Sequence, residues 1–512
     1  MNQPASSPAA QDWDPVKALW SFCNLLREDG VSAIEYVEQV TFLLFIRLAH
    51  EQRRRPLNPL DVIGFDAWEE IRDASGEDQL QRYGQILDSL GHRPGSVGLI
   101  FRKAQNRVQD PAKLSRLIDL FDRHRWSGDA SMDRGAVFEA LLTRMAADAR
   151  TGAGQYFTPR PLIEAIVQCV QPTIDDTIMD PACGTGGFLI KSFDYLVERF
   201  PRGVTPKQRA RLNEGAIFGH ELVDGVARLA TMNLVLHGVA RADSTDSRIS
   251  IGDALARTPA QHASLVLTAP PFGRRSVIAI DAADSRSVSG VTHYRPDYWA
   301  TTSNRQLNFL QHVYTLLETN GRAAVVVPDN VLFEGGAGET IRRRLLTSCD
   351  LHTLLRLPAG VFYAGGVKAN VLFFEKPPPQ PDGKPSTKRL WVYDMRSNRP
   401  SPTRATPLVS ADYLDFVAEY RPGRARSERV ESSAFRSFSV ADLLRRDKVN
   451  LDVLVGSQDE LTPVPEPEVD LYRMAEEITQ ELRSALAEFS ALADELRPSD
   501  TRSDRPDRSW AE

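Results

Sequence analysis

Apolar residues recur every three or four positions through the first 150 residues. Trp20, Leu25 and Leu26 are followed by Ile34, Val37, Val40, Leu43, Leu44 and Leu48, a spacing that lays one apolar stripe along an amphipathic helix. Further helices are predicted around Ala67–Arg72, Gln79–Leu90, Pro111–Leu120 and Arg134–Arg150, with no alternating strand ahead of them, so 1–150 reads as an all-α domain. The pattern then changes. Short apolar runs at Thr177–Met179, Ala216–Leu222, Ile249–Ile251 and Leu265–Thr268 are strand candidates separated by helical stretches. A helix is expected at Asn308–Leu317, a strand at Ala323–Pro328, a helix at Glu339–Thr347, and strands at Leu351–Leu357 and Ala369–Phe374. Short strands alternating with helices predict βαβ units and a largely parallel sheet across 151–420. Residues 421–465 are polar, contain proline and read as linker-like. In 466–512, Val469–Leu496 places Leu471, Met474, Ile478, Leu482, Ala485, Phe489, Leu492 and Leu496 on one seam, and a polar tail follows. Such a helix either folds back on its own core or docks on a partner.

The chain has 512 residues, 42% hydrophobic and 25% charged, the composition of an ordinary globular protein with room for several domains. A net charge of −6 excludes a uniformly basic nucleic-acid coat, but not a local basic groove. The four cysteines (Cys23, Cys169, Cys183 and Cys349) form no CxxC pair. Neither a disulfide framework nor a structural zinc site is expected, and a reducing cytoplasm suits them. The first residues carry no basic-then-apolar secretory pattern, and the apolar stretch Thr41–Ala49 is interrupted by Arg47 and too short to span a bilayer. No membrane association is expected.

Candidate chemistry gathers at the strand ends. Asp180-Pro181-Ala182-Cys183-Gly184-Thr185-Gly186-Gly187 follows the first strand and opens a helix. Its glycines permit a tight turn and close approach to a ligand at a helix amino end. Glu221 ends the next strand, and Asp253 follows the third. Each acid alone reads equally as a cap or a solvated loop residue. Three at successive strand ends, beside a glycine loop, point to a nucleoside lying across a sheet edge. The loop lacks the G-x-G-x-x-G of a pyrophosphate site and begins with an acid, which suits a ligand bearing an ammonium and no phosphate, as S-adenosylmethionine does. The upstream stretch Gln155-Tyr156-Phe157-Thr158-Pro159-Arg160 is expected to close over the methionine end of that ligand or, alternatively, to be an interdomain linker.

These segments resemble the modification subunits of type I restriction–modification systems, which are N6-adenine DNA methyltransferases. GQYFTPR, DPACGTGGFL, FGHEL, the run from TSNRQLNFLQH to GRAAVVVPDNVLF, LLRLPAGVFYAGGVKANVLFFEK and WVYDMRSN carry the likeness together with the helical start. The resemblance implies an α/β fold: a Rossmann-like class I methyltransferase sheet dependent on S-adenosylmethionine, with an N-terminal all-α domain and a C-terminal helix. It also implies double-stranded DNA as substrate, a specificity subunit that reads the sequence, a second modification subunit and a restriction or motor subunit as partners.

The family's target-base loop is Asn-Pro-Pro-aromatic. There the Asn amide oxygen and the first Pro carbonyl accept hydrogen bonds from the adenine amine, and the ring stacks on the everted base. This chain reads Ala269-Pro270-Pro271-Phe272. Alanine offers no acceptor, so the pocket is expected to be built while methyl transfer is impaired, whether Ala269 is an inactivating substitution or a natural variant. The alternatives are a non-catalytic DNA-binding and assembly subunit that keeps the fold, or a methyltransferase acting on protein glutamine or RNA. The connection Arg274–Arg305, with His293, Tyr294, Arg295, Tyr298 and Trp299, mixes basic and aromatic groups as phosphate contact and base stacking require. A solvated insertion is the other reading. Phe309 is expected either near the target pocket or in the core.

Overall fold

The computed structural model describes residues 14–27, 29–52, 66–124, 126, 134–147, 157–200, 205–241, 247–272, 295–362, 367–380, 383–397, 402, 406–453 and 455. They lie in one compact unit, Met1–Gly456; the second unit, Ser457–Glu512, which holds the expected terminal helix, falls outside the described residues, as does most of the Arg274–Arg305 connection.

Helices come first: α1 Pro15–Arg27, α2 Ala33–Gln52, α3 Asp66–Arg72, α4 Gly76–Gly91, α5 Gly95–Phe101, α6 Pro111–Asp122 and α7 Arg134–Ala147. Local chemistry sets some of the starts. Asp110 accepts hydrogen bonds from the Ala112 and Lys113 N–H groups ahead of Pro111 at the first position of α6. The apolar faces of these helices form one core, which also takes in Leu229 and Met232.

The sheet unit follows as α8 Arg160–Val170, β1 Ile178–Asp180, α9 Gly187–Arg199, α10 Pro206–Glu214, β2 Ile217–Glu221, α11 Asp224–Leu236, β3 Ile249–Ile251 and β4 Ala263–Thr268. Then come α12 Arg305–Leu316, β5 Leu317–Pro328, α13 Ala337–Ser348, β6 Asp350–Arg356, β7 Ala369–Glu375, β8 Arg389–Asp394, α14 Leu414–Tyr420, β9 Phe435–Ser439 and α15 Val440–Arg445. The strand order is β3-β2-β1-β4-β5-β7-β6-β8-β9. Strands β1 to β5 run parallel, β7 is antiparallel between β5 and β6, β6 and β8 are parallel, and β9 is antiparallel at the edge. Both faces are covered. One core joins α8, α9, α11 and α14 to the sheet, and another joins α12, α13 and α15 to its other face. Interior strands such as β7, ANVLFFE, are accordingly almost continuously apolar. Strand β1 lies between β2 and β4, so the direction of chain progression reverses beside it, and the carboxyl ends of β1, β2 and β4 open on a shared crevice.

The expected βαβ series and helical start are present. Three details differ. The strand expected at Ala323–Pro328 begins at Leu317, because its first residues turn at Asn320 (φ 68°) and Asn320 and Gly321 exchange backbone hydrogen bonds with Lys376. Strands β8 and β9 lengthen the sheet beyond the strands expected from the pattern. The segment 421–465, expected as linker-like, supplies β9, α15 and the stretch to Val453: Phe435 and Leu443 are buried, and Leu451 donates its N–H to the Leu332 carbonyl. Its few apolar residues fill the edge of a core made elsewhere, which is why no periodicity betrays it.

Candidate active site

Strand β1 ends on Asp180, and the chain turns at once into α9. Gly184 (φ 53°) and Gly186 (φ 83°) sit in the left-handed region, and a Cβ on Gly186 would meet Leu234 at 2.6 Å. Only glycine fits this turn without strain. A cavity of about 320 Å³ opens above it, at the carboxyl ends of β1, β2 and β4.

Three carboxylates from three chain segments line that cavity: Asp180, Glu221 and Asp253. Asp180 is 1% exposed and accepts the Ala182 N–H at 3.0 Å; burial, with a contribution from the Glu221 carboxylate, pushes its carboxyl up to about 7. Glu221 accepts the Gly184 N–H at 3.0 Å and the Val223 N–H at 2.9 Å, one on each oxygen, and burial raises it as well. These bonds fix the carboxylate against the glycine turn and leave further lone pairs on each oxygen. Asp253 accepts the Leu255 N–H at 2.9 Å just after Gly252.

The opposite wall comes from Thr158 and Arg160. Arg160 lies against Gly187, where a Cβ would come within 1.6 Å of its Nη1, and its guanidinium covers the Phe157 ring at 4.6 Å. The Glu139 carboxylate of α7 receives its Nε and, at 2.7 Å, its Nη2. Asn233 of α11 donates Nδ2 both to Glu139 and, at 2.9 Å, to the Thr185 carbonyl in the glycine turn. Burial works against the Glu139 charge, but Arg160 and Asn233 hold its carboxyl below the usual range. A half-buried carboxylate of the helical half thus fixes the cation at the cavity wall.

Ala269, at the end of β4, and Pro271 complete the lining with Arg305 and Phe309 of α12. Gln306 donates Nε2 to the Pro271 carbonyl at 2.8 Å and so ties the loop to α12, whose start is capped by the Asn304 side chain. Pro270 is buried and outside the lining. The Phe272 ring packs edge-on against Phe362, centroids 4.9 Å apart. Gln155 and Tyr156 lie outside the described residues, Phe157 is 3% exposed beneath Arg160, and Pro159 precedes α8. Phe309 satisfies both readings of it, since it is 5% exposed and borders the cavity. The pattern of acids and glycines did not reveal Glu139, Asn233 or Gln306. Their single signal is a polar residue on the buried face of an otherwise apolar helix. Arg295, at the far end of the long connection, is fixed inside the protein: it pairs with Asp297, donates to the Tyr298 hydroxyl and lies 2.9 Å from the His312 ring. It is therefore structural rather than a solvated loop cation.

Among the described residues no group of acidic, His and Cys side chains has the arrangement of a metal site, and no helix is long and apolar enough to cross a membrane.

The chain matches the N-6 DNA Methylase family over residues 131–452 and the HsdM N-terminal domain over residues 16–58. It is 35% identical to the type I restriction enzyme StySJI methylase subunit of Salmonella typhimurium, covering 94% of this chain and 95% of the relative. The EcoKI methylase subunit of Escherichia coli is also 35% identical, over 95% and 96% of the two chains. A solved structure from work on assembly and conformational transition of the type I restriction–modification system superposes with a TM-score of 0.68 at 25% identity, covering 94% of this chain and 98% of its own. With the sheet order, the strand-end cavity and these likenesses in agreement, the chain belongs to the N-6 DNA methylase family, among the methylase subunits of type I restriction–modification systems.

Proposed function

We propose that this adenine-specific DNA methyltransferase subunit binds S-adenosylmethionine in the strand-end cavity, receives an everted adenine of duplex DNA against Ala269–Phe272, and in its present sequence transfers the methyl group poorly. The observation that carries the reading is the convergence of Asp180, Glu221 and Asp253 with the Ala269–Pro271 loop in one cavity of about 320 Å³.

The residues suit the donor's chemistry. Asp180 is a buried carboxylate that a ligand ammonium would neutralise, the Glu221 and Asp253 oxygens suit ribose hydroxyls and the exocyclic amine of an adenine, and Arg160 faces a carboxylate end. When bound, the donor supplies an electrophilic methyl on a sulfonium, so the acceptor nitrogen needs positioning rather than a strong base. Positioning is the task of the loop. Gln306 fixes the Pro271 carbonyl, which holds the neighbouring Pro270 carbonyl in place as one acceptor for the base amine. Position 269 is where the family carries the second acceptor, and Ala269 has none. By analogy with other preorganised polar groups, losing one acceptor costs about 2–4 kcal/mol of barrier, roughly 10²–10³ in rate. The restriction–modification relatives further support an assembly with a specificity subunit, a second copy of this chain and a restriction subunit.

The test is methyl transfer to duplex DNA by the chain with its specificity partner, before and after Ala269→Asn. The expected result is a gain of 10²-fold or more, with S-adenosylhomocysteine affinity unchanged. Ala269 itself favours a second reading, in which the subunit binds donor and DNA without chemistry. An Ala269→Asn protein that binds both and stays inactive establishes that second reading.

A further inference from the structure

A second cavity, of about 310 Å³, opens at the other edge of the sheet, where β5 and β6 begin and β7 ends. Five arginines line it (Arg322, Arg421, Arg424, Arg426 and Arg429) against one carboxylate, Glu375. Two of the five are already neutralised. Arg322 pairs with Asp176 at 2.8 Å, and Arg426 spans Asp350 and Glu375. The other three are not. Arg429 is 7% exposed; its Nε donates to the Tyr420 carbonyl at 3.0 Å and its Nη1 to the Thr353 hydroxyl at 2.9 Å. Its second terminal nitrogen has no acceptor among the described residues, and its charge makes no direct ion pair there, the Asp350 carboxylate acting on it only at longer range. The Tyr420 ring 4.5 Å from the guanidinium carbon and Phe435 at 5.8 Å are what face the cation. A buried cation without a counter-ion is costly, and here it borders a cavity. Arg421 and Arg424 stand exposed at the rim without side-chain acceptors among the described residues. The turn that carries them is held against α8. Arg421 (φ 56°) and Gly423 (φ 71°) are left-handed, and a Cβ on Gly423 would meet the Gln171 amide oxygen at 2.8 Å. Gln171 in turn gives its carbonyl to Arg322 at 3.1 Å.

We infer that this cavity is an oxyanion site for a small phosphate-bearing ligand, with Arg429 at its base and Arg421 and Arg424 closing over it from the rim. Guanidinium groups suit phosphoryl oxygens because each presents paired donors in a fixed fork. The site is separate from the donor cavity, which lies at the carboxyl ends of the parallel strands, and it takes no part in methyl transfer.

The experiment is calorimetric titration of the full chain with inorganic pyrophosphate, and separately with a nucleoside triphosphate, at constant ionic strength. Saturable binding is expected, weakened tenfold or more in Arg421→Ser/Arg424→Ser. A control with the same change in charge, Arg123→Ser/Arg445→Ser, is expected to bind as the unaltered chain does. S-adenosylhomocysteine affinity is expected to be equal in all three proteins, which separates this site from the donor cavity. Equal affinity for both probes identifies the phosphoryl group as the recognised part, and tighter triphosphate binding extends the site to the nucleoside; either result supports the inference. Absence of saturation, equal weakening in both double variants, or a duplex DNA oligonucleotide binding through Arg421 and Arg424 where pyrophosphate does not would each overturn it.

Discussion

Glu139, on a helix of the amino-terminal half, grips Arg160 at the wall of the strand-end cavity through both of its carboxylate oxygens. The same carboxylate receives the Asn233 amide, whose other bond goes to the glycine turn at Thr185. Removing the Glu139 carboxylate leaves the half-buried Arg160 charge with only the Thr185 hydroxyl at 3.4 Å and takes one of two acceptors from the Asn233 amide, at a cost of about 2 kcal/mol. Glu139→Ala is therefore expected to lower the melting temperature and to weaken S-adenosylhomocysteine binding together. Glu139→Gln, which keeps one acceptor, should fall between the two. Thermal melts with and without the ligand check both effects, and a variant that melts and binds like the parent would refute the linkage.

Asp180 is expected to make donor binding depend on pH. Its carboxyl is pushed up to about 7 by burial, so without ligand the neutral form dominates only below that pH and the charged form above it. The sign follows from linkage: the group's contribution to folded stability is fully present below the ordinary carboxylate range and is lost as pH rises through about 7. A ligand ammonium reverses the balance, because it needs the charged form. Affinity for S-adenosylhomocysteine, which carries that ammonium, is expected to rise roughly tenfold between pH 6 and pH 8. In Asp180→Asn the affinity should be low and flat with pH. Calorimetry across that range is decisive, and a flat profile in the unaltered chain would remove Asp180 from the ammonium site.

What the sequence reveals here depends on whether a residue's role is local. The turn at Gly184 and Gly186 and the acids at Asp180, Glu221 and Asp253 are legible because strand end, glycine and acid stand side by side in the chain. Glu139, Asn233 and Gln306 are not, because their partners lie far along the chain and each looks like an ordinary polar residue on a helix. Strand β9 escapes notice for a related reason. Phe435 packs on Trp391 and Tyr393, so its apolar environment is supplied by other strands rather than by its own repeat. Whether Phe309 is core or pocket also had no answer in the pattern, since a ring at a cavity's edge serves both.

Gln306 is expected to affect chemistry without affecting donor binding. It is 5% exposed and its amide meets the Pro271 carbonyl at 2.8 Å, while the carboxylates that line the cavity are held by other bonds. In a chain made active by Ala269→Asn, adding Gln306→Leu should lower kcat about tenfold, as loss of one hydrogen bond that positions an acceptor implies. S-adenosylhomocysteine affinity should not change. Single-turnover methylation alongside calorimetry separates the two quantities. Parallel losses in both would instead mean that Gln306 supports the cavity as a whole.

Arg342 predicts how the segment after β9 is retained. Its side chain, 1% exposed, donates to four carbonyls, those of Val331, Glu334, Lys448 and Val449, at 2.6 to 3.0 Å. Burial pushes its guanidinium down to about 10, so it remains a cation at neutral pH. The bonds tie the stretch that leads from α15 to Val453 against α13 and the turn after β5, and Leu451 adds its N–H to the Leu332 carbonyl. Methionine at this position would fill much of the volume but leave the carbonyls unpaired, each costing about 1–3 kcal/mol where water cannot reach it. Arg342→Met is therefore expected to lose at least about 3 kcal/mol of stability. Arg342→Lys, whose three donors sit on one atom, cannot span four acceptors and should recover only part of that loss. Urea unfolding gives the measurement: a lower midpoint with an unchanged slope identifies lost stability. A midpoint within error of the parent for Arg342→Met would show that the segment is held by its apolar residues alone.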